Sequence, residues 1–267
     1  MTHSGEQATG QAGRGDIRPP RGANRDTSDP TLARGQATAL LSVVIPTYNE
    51  RDALPLLVTR MAEVNRGLSL ELVIVDDASP DGTGAVADEA AKSSHVPITV
   101  VHRPAKTGLA SAVLEGAAAA RAPVVTVMDA DLSHPPELLP ALWQAIQGGA
   151  DIAVASRYVP GGGVERWPLM RRLVSRVATF AARGGLGLRV RDPLSGFFAV
   201  RRELLTGYRY KGLGYKLLVE ILVTHPDSPV AEIPYRFVDR QRGKSKLGAG
   251  EIFAFLKLLK HLRGRPT

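Results

Sequence analysis

The chain has 267 residues and a formal net charge of +8, with 44% hydrophobic and 22% charged residues, ordinary proportions for a globular protein able to bury a sizeable core. It contains no cysteine, which excludes disulfides, thiolate metal sites and a cysteine nucleophile. No run of about 18 or more uncharged apolar residues occurs, so no membrane-spanning helix is expected, and the polar N-terminus lacks the apolar core of a signal peptide.

Residues 1–39 hold few large apolar residues among many Gly, Pro, Arg and Thr, and are expected to form a disordered tail. From Leu40 the pattern changes. LLSVVIP reads as a strand buried on both faces and ending at Pro46, where the backbone can no longer donate to a ladder. Helical spacing follows over Ala53–Asn65, then LELVIVDD forms a second buried strand. A Ser/Pro/Asp/Gly turn leads into an Ala-rich helix over Thr83–Lys92. ITVVHR is a third strand, Leu109–Arg121 a helix, and VVTVMDAD a fourth strand, followed by a helix after Pro136 and a fifth strand in DIAVASRY. Strands alternating with helices of about 10–15 residues predict βαβ units and a largely parallel sheet.

The second half reads differently. Residues 168–183 place apolar side chains at helical spacing between Arg171, Arg172, Arg176 and Arg183. RDPLSGFFAVRRE is a loop entering a strand, GYKLLVEILVTH is helical, and AEIPYRFVDR is a strand. QRGKSKLG is a basic flexible loop, and EIFAFLKLLKHL is an amphipathic helix. The expected division is therefore a tail over 1–39, one domain over 40–248 and a C-terminal helix over 249–267.

In such sheets a ligand sits beyond the carboxyl ends of the strands. Four strand ends carry the chemistry: PTYNE at 46–50, VDDASPDGT at 75–83, MDADLSH at 128–134 and ASRY at 155–158. Alternation along the fourth strand puts Asp129 and Asp131 on one side, and two hard carboxylates suit Mg²⁺ or Mn²⁺ as well as a solvated turn. Asp76 and Asp77 either accept hydrogen bonds from a ligand or, with Ser79, Asp81 and Thr83, order the start of the next helix. His134 orders the loop after the paired acids rather than ligating a metal.

Charge is unevenly placed. Residues 157–191 hold eight arginines against Glu165 alone, and residues 236–267 hold nine basic residues against Asp239 and Glu251. Phosphate ligands, anionic lipid or nucleic acid all account for such segments. Aromatics make up only 5%, which argues against basic residues interleaved with stacking rings and so against nucleic acid as a partner. No phosphate-binding glycine loop, nucleophile elbow or H-E-x-x-H occurs.

The ordered set PTYNE, VDDASPDGT, MDADLSHPPE, ASRY, DPLSGF, GYK and RGKSK resembles the family 2 glycosyltransferases, and within them the dolichol- or polyprenol-phosphate mannose synthases, from about Leu41 to Lys246. That resemblance implies a GT-A-type nucleotide-binding (Rossmann-like) α/β fold with a mostly parallel central sheet flanked by helices. It implies inverting transfer of mannose from GDP-mannose to a polyprenyl phosphate, dependent on Mg²⁺ or Mn²⁺. The alternative in the same family is transfer of glucose from UDP-glucose, or of another sugar from its nucleotide.

Carried over by motif, Pro46, Tyr48, Glu50, Val75 and Asp77 line the guanosine pocket. Asp129 and Asp131 make the metal and diphosphate centre with Ala130 lining it, and Ser133 stands where many members have a metal-assisting Gln. Arg157 is a site arginine, Lys216, Arg240 and Lys246 face the diphosphate or its closing loop, and Arg171 and Ser175 contact the lipid phosphate. The resemblance is to the compact type without membrane helix pairs, which works with a separate membrane partner. The expected location is cytoplasmic, peripheral at the cytoplasmic face of a membrane, with 168–183 and 251–263 as interfacial helices.

Overall fold

The computed structural model describes residues 39–165, 167–208, 210, 216–238, 259, 262 and 263. The expected tail up to residue 38, the GY of GYK, the basic loop with Arg240 and Lys246, and most of the closing helix lie outside the described residues.

The first half alternates as expected: β1 (Leu41–Thr47), α1 (Leu54–Asn65), β2 (Leu70–Asp76), α2 (Thr83–Ser93), β3 (Ile98–His102), α3 (Leu109–Ala119), β4 (Val124–Val127), α4 (Leu139–Gln147) and β5 (Ile152–Ser156). A short 3₁₀ turn over Pro136–Leu138 leads into α4. The second half adds β6 (Gly163–Glu165), α5 (Leu169–Leu186), β7 (Phe198–Arg201), α6 (Arg202–Thr206), α7 (Leu217–Thr224), β8 (Val230–Pro234) and β9 (Arg236–Val238). Two of these were not anticipated. The strand β6 pairs with β9 in a small parallel ribbon, and α6 is a single short turn of helix after β7.

The seven-stranded sheet has the order β3-β2-β1-β4-β7-β5-β8. Strand β7 runs antiparallel to both its neighbours, β4 and β5, while all other pairings in the sheet are parallel. Periodicity of two sorts the side chains into two core layers. Leu41, Val43 and Ile45 of β1 join Leu70, Leu72 and Ile74 of β2 under α1, α2 and α4. Val44, Val73 and Val75 point the other way, against α3, α6 and α7. The α3 helix lies close to the sheet, because a Cβ at Gly116 would fall 2.5 Å from a methyl of Val44.

Strand β1 continues one residue past its expected end, so Pro46 is its penultimate residue. The physical reason is the length of its neighbour. Pairing with β4 stops at Val44↔Val127, and Pro46 meets only Val75 of β2. The missing N–H therefore leaves no ladder bond unmade on the β4 side. Among the described residues no helix is long and apolar enough to cross a membrane.

At the amino ends of the strands, far along β1 and β2 from the crevice, Glu71 is buried to 1% exposure. It accepts from the Ser42 hydroxyl at 2.7 Å, and from the backbone and side chain of Arg121, each also at 2.7 Å. Burial alone would raise its carboxyl, but these hydrogen bonds and the arginine charge outweigh that and hold it below the ordinary carboxylate value. A depressed pKa stabilises the fold above the unfolded value and loses that contribution as pH falls through the folded one. Glu71→Gln should therefore cost about 2 kcal/mol at pH 7 in urea unfolding, with the deficit shrinking as the pH drops below about 4. A deficit independent of pH would show that packing, not the ionised carboxylate, is what Glu71 contributes.

Candidate active site

The loops that follow β1, β2 and β4 open side by side at one edge of the sheet. Each contains one non-glycine residue in left-handed backbone: Asn49 (φ 61°), Ala78 (φ 55°) and Leu132 (φ 63°). Such conformations cost free energy, more for a bulky side chain such as leucine, and three on neighbouring strand ends mark a site held by its surroundings. Cross-loop bonds do the holding. Backbone N–H groups of Asn49, Glu50 and Arg51 donate to the side chains of Ser79, Thr83 and Asp81 at 3.1, 2.9 and 3.2 Å. Asp81 also accepts from Thr83 N–H at 3.0 Å, the expected ordering of the turn before α2.

The paired acids sit in the loop rather than on the strand. Because β4 ends at Val127, strand alternation does not aim Asp129 and Asp131; hydrogen bonds in the loop do. His134, 2% exposed, stacks on Phe197 at 5.0 Å and meets Tyr235 and Phe237 edge-on. Its Nδ1 accepts the Asp129 N–H at 2.9 Å, so the proton is on Nε2, which faces Asp129 Oδ2 at 3.9 Å. Ser133 donates both its N–H (3.0 Å) and its hydroxyl (2.6 Å) to Asp131 Oδ1. Ala130, expected to line the centre, is 2% exposed and its side chain packs in the core layer.

On the β1–β2 side, Val75 likewise buries its side chain in the core, and its carbonyl accepts from Thr47 at 3.2 Å. Asp77 is paired with Arg103, a residue that sequence reasoning did not single out. Arg103, 8% exposed, also binds Glu115 at 2.9 Å, Ser111 at 2.8 Å, and Thr107. Lys106 from the same loop stands 3.5 Å over the Tyr48 ring. The arginine that closes ITVVHR was the available signal.

Across β7, Arg157 at the end of β5 is gripped by Asp192 through Nε (2.7 Å) and Nη2 (2.8 Å), and Asp192 also accepts the Arg157 N–H at 2.9 Å. Burial alone would weaken the guanidinium's hold on its proton, but the Asp192 pairing more than offsets it and the pKa is raised. Tyr235 is pushed up by burial, and it senses the charges of Arg157, Asp192 and Asp129 together. The indole of Trp167 receives Arg171 at 4.2 Å and Arg157 at 5.7 Å. Tyr158 hydrogen-bonds Ser175 at 2.8 Å, and Lys216 donates to the Leu194 carbonyl at 3.3 Å. Thus Arg157, Arg171 and Ser175 come together around Tyr158 and Trp167. Asp192 and Trp167 were missed; the DPLSGF motif and the tryptophan before an arginine-rich helix were their signals.

The donor set at Asp129 and Asp131 suits a hard divalent cation such as Mg²⁺ or Mn²⁺, which takes one or two protein carboxylates and completes its shell with water and phosphate oxygens. No cluster of three or more His, Cys, Asp or Glu suited to a metal occurs among the described residues, so nothing here resembles an all-protein cage.

The family model of glycosyl transferase family 2 matches residues 42–208. This chain is a member of glycosyl transferase family 2. Over 219 residues it is 47% identical to a dolichol-phosphate mannosyltransferase of Pyrococcus furiosus, covering 81% of this chain and 62% of that protein. It thus spans less than two-thirds of the length of that relative. It is 39% identical to a polyprenol monophosphomannose synthase of Mycolicibacterium smegmatis, covering 84% and 86% of the two chains. An undecaprenyl-phosphate mannosyltransferase of Micrococcus luteus is 36% identical over 78% of this chain and 88% of that protein. Among solved structures, a mycobacterial protein superposes with a TM-score of 0.65 at 26% identity, covering 87% of this chain and 77% of that one. A glucosyl-3-phosphoglycerate synthase of Mycobacterium tuberculosis superposes with a TM-score of 0.64 at 23% identity, covering 87% and 82%. The fold of this family 2 member is of the GT-A type, with a mostly parallel central sheet flanked by helices.

The buried pair at its centre has a measurable cost when broken. Asp192→Asn should destabilise the protein by about 3–5 kcal/mol in urea unfolding, because Arg157 is left charged and uncompensated. Arg157→Met added to that variant should recover most of the loss. A double variant no more stable than Asp192→Asn would show that Asp192 acts through its backbone bonds alone.

Proposed function

We propose that this chain transfers mannose from GDP-mannose to the phosphate of a polyprenyl phosphate, with inversion at the sugar, in a reaction that requires Mg²⁺ or Mn²⁺. The observation that carries the reading is the convergence of Arg157, Arg171 and Ser175 around Trp167 and Tyr158, beside the Asp129–Asp131 loop. It provides a cationic place for a second phosphate next to a centre built for a diphosphate. The relatives named as polyprenol- and dolichol-phosphate mannosyltransferases support the acceptor and the sugar.

The nucleoside lies against Pro46, Tyr48 and Glu50, with Asp77 fixed by Arg103 so that its carboxylate keeps one orientation toward the base. Asp129 and Asp131 hold the cation, and Ser133 and His134 fix those two residues. When bound, the cation supplies positive charge to the diphosphate that leaves. Arg171 and Ser175 orient the acceptor phosphate, and Lys216 with Arg240 and Lys246 completes the charge around the donor.

One phosphate oxygen of the acceptor forms the new bond to the anomeric carbon while the bond to the diphosphate oxygen breaks on the opposite face. No general base is needed, since a phosphomonoester with a second pKa of about 6 is mostly dianionic at neutral pH. The site agrees with that economy: Asp77 is bound to Arg103, Asp192 to Arg157, and Asp131 to Ser133. Positioning and charge screening carry the rate.

The acceptor is a lipid, so the protein works at a membrane surface, peripherally at the cytoplasmic face. The outer face of α5 supports this: Leu169, Leu173, Val177 and Phe180 recur at helical spacing and are 56–82% exposed.

Asp131→Ala, assayed with radiolabelled GDP-mannose and a polyprenyl phosphate, should lose transfer by about 10²-fold or more. Undiminished transfer would remove the metal role. In a thermal-shift series with Mn²⁺, GDP at about a hundredfold excess over its Kd should raise the melting temperature by roughly 5–10 °C. Equal stabilisation by UDP would move the donor assignment away from GDP-mannose.

A further inference from the structure

Beside the reaction centre, α5 and the segment that follows it enclose a groove of about 450 Å³ lined by Tyr158, Arg176, Thr179, Phe180, Arg183 and Arg191. Its lining includes three guanidinium groups and no acid. Arg176, Arg183 and Arg191 are exposed, and none joins an ion pair among the described residues. The neighbouring carboxylate, Glu232, accepts instead from the backbone N–H groups of Arg191 and Asp192 at 2.8 and 3.1 Å. Thr179 is 6% exposed, and its buried hydroxyl has no hydrogen-bond partner among the described residues. A groove with three unpaired planar cations and a spare hydroxyl matches the oxygens of a phosphate.

The surroundings say which kind. Phe180, 77% exposed, belongs both to the groove and to the apolar stripe of Leu169, Leu173 and Val177. A phosphate bound here has water on one side and that stripe on the other, the arrangement of a headgroup at the edge of a bilayer. None of Arg157, Arg171 or Ser175 lines the groove. Tyr158 forms the wall between the two places and turns its hydroxyl to Ser175.

We propose that this groove binds the headgroup phosphate of an anionic phospholipid of the bilayer, a lipid distinct from the one that accepts the sugar. The inference rests on the reading of α5 as a membrane-facing helix. Bound there, the headgroup fixes the rotation of α5 on the membrane and so presents the acceptor site to the lipid that enters it.

The test uses the full chain and the paired substitution Arg183→Gln with Arg191→Gln, both at exposed positions that leave the core untouched. Binding is measured by co-sedimentation with vesicles of phosphatidylcholine alone and with vesicles in which one lipid in three is phosphatidylglycerol; the variant should bind the second kind about 30-fold more weakly than wild type. Its binding to phosphatidylcholine and its transfer to a short, water-soluble polyprenyl phosphate without vesicles should be unchanged. A variant that keeps the wild-type preference for phosphatidylglycerol overturns the proposal. So does a parallel fall in transfer to the soluble acceptor, which would make the groove part of the acceptor site. Displacement of wild type from the anionic vesicles by inorganic phosphate, at an ionic strength held constant with chloride, assigns the groove to free phosphate instead. If wild type binds neither vesicle, the membrane reading of α5 fails and takes the headgroup with it. A wild type that binds both vesicles equally, and no better than the variant does, sinks the headgroup site alone.

Discussion

The β5–β7 side of the crevice is held by a buried ion pair between Arg157 and Asp192. Arg157 directly follows β5 and Asp192 lies in the loop into β7, and the two meet because β7 runs against its neighbours. In a wholly parallel sheet the amino end of each strand lies on the opposite edge, away from the ligand. Reversing β7 brings its entry loop to the crevice, between the ends of β4 and β5. Burying both charges costs several kcal/mol of hydration. The bidentate contact and a further backbone bond to Asp192 offset that cost and fix the guanidinium in one orientation. From that fixed cation the rest follows: Trp167 presents its ring to it and to Arg171, and Tyr235 lies under the influence of both the pair and Asp129.

The elements that could be read in advance are those whose environment is uniform. Strands β1, β2, β4 and β5 are buried on both faces, so their valine- and isoleucine-rich runs stand out, and the helices between them show simple periodicity. The direction of β7 leaves no local mark, because a buried run reads alike in either direction. Partners made by long-range pairing were hidden for the same reason. Asp77 and Asp192 were visible as motif carboxylates, but Arg103 became relevant only when β3 was laid beside β2. Motif membership also overstated some side chains. Val75 and Ala130 face the core, and a motif cannot tell a side chain that touches ligand from one that supports the backbone that does.

The three left-handed residues and the cross-loop bonds belong to one design. A leucine with φ of 63° persists only if its neighbours over-determine it, and Ser133 and His134 on its C-terminal side do this by bonding Asp131 and Asp129. The loop is therefore held in one arrangement by bonds within the chain itself. Pre-organised donors are worth most where charge changes during a reaction, as when a diphosphate departs.

The same economy explains the charge layout. In the proposed reaction two phosphate-bearing substrates approach within bonding distance, and unscreened they repel each other. The proposed reaction divides the screening: acids at the end of β4 recruit a cation for the donor, while arginines from β5 and α5 serve the acceptor. Mixing the two sets would let carboxylates and guanidiniums neutralise each other. Where they do meet, at Arg157 and Asp192, they form a buried pair whose carboxylate is committed to one arginine. Of the eight arginines of residues 157–191, Arg176, Arg183 and Arg191 line the outer groove of α5, where the proposed headgroup would supply the negative charge.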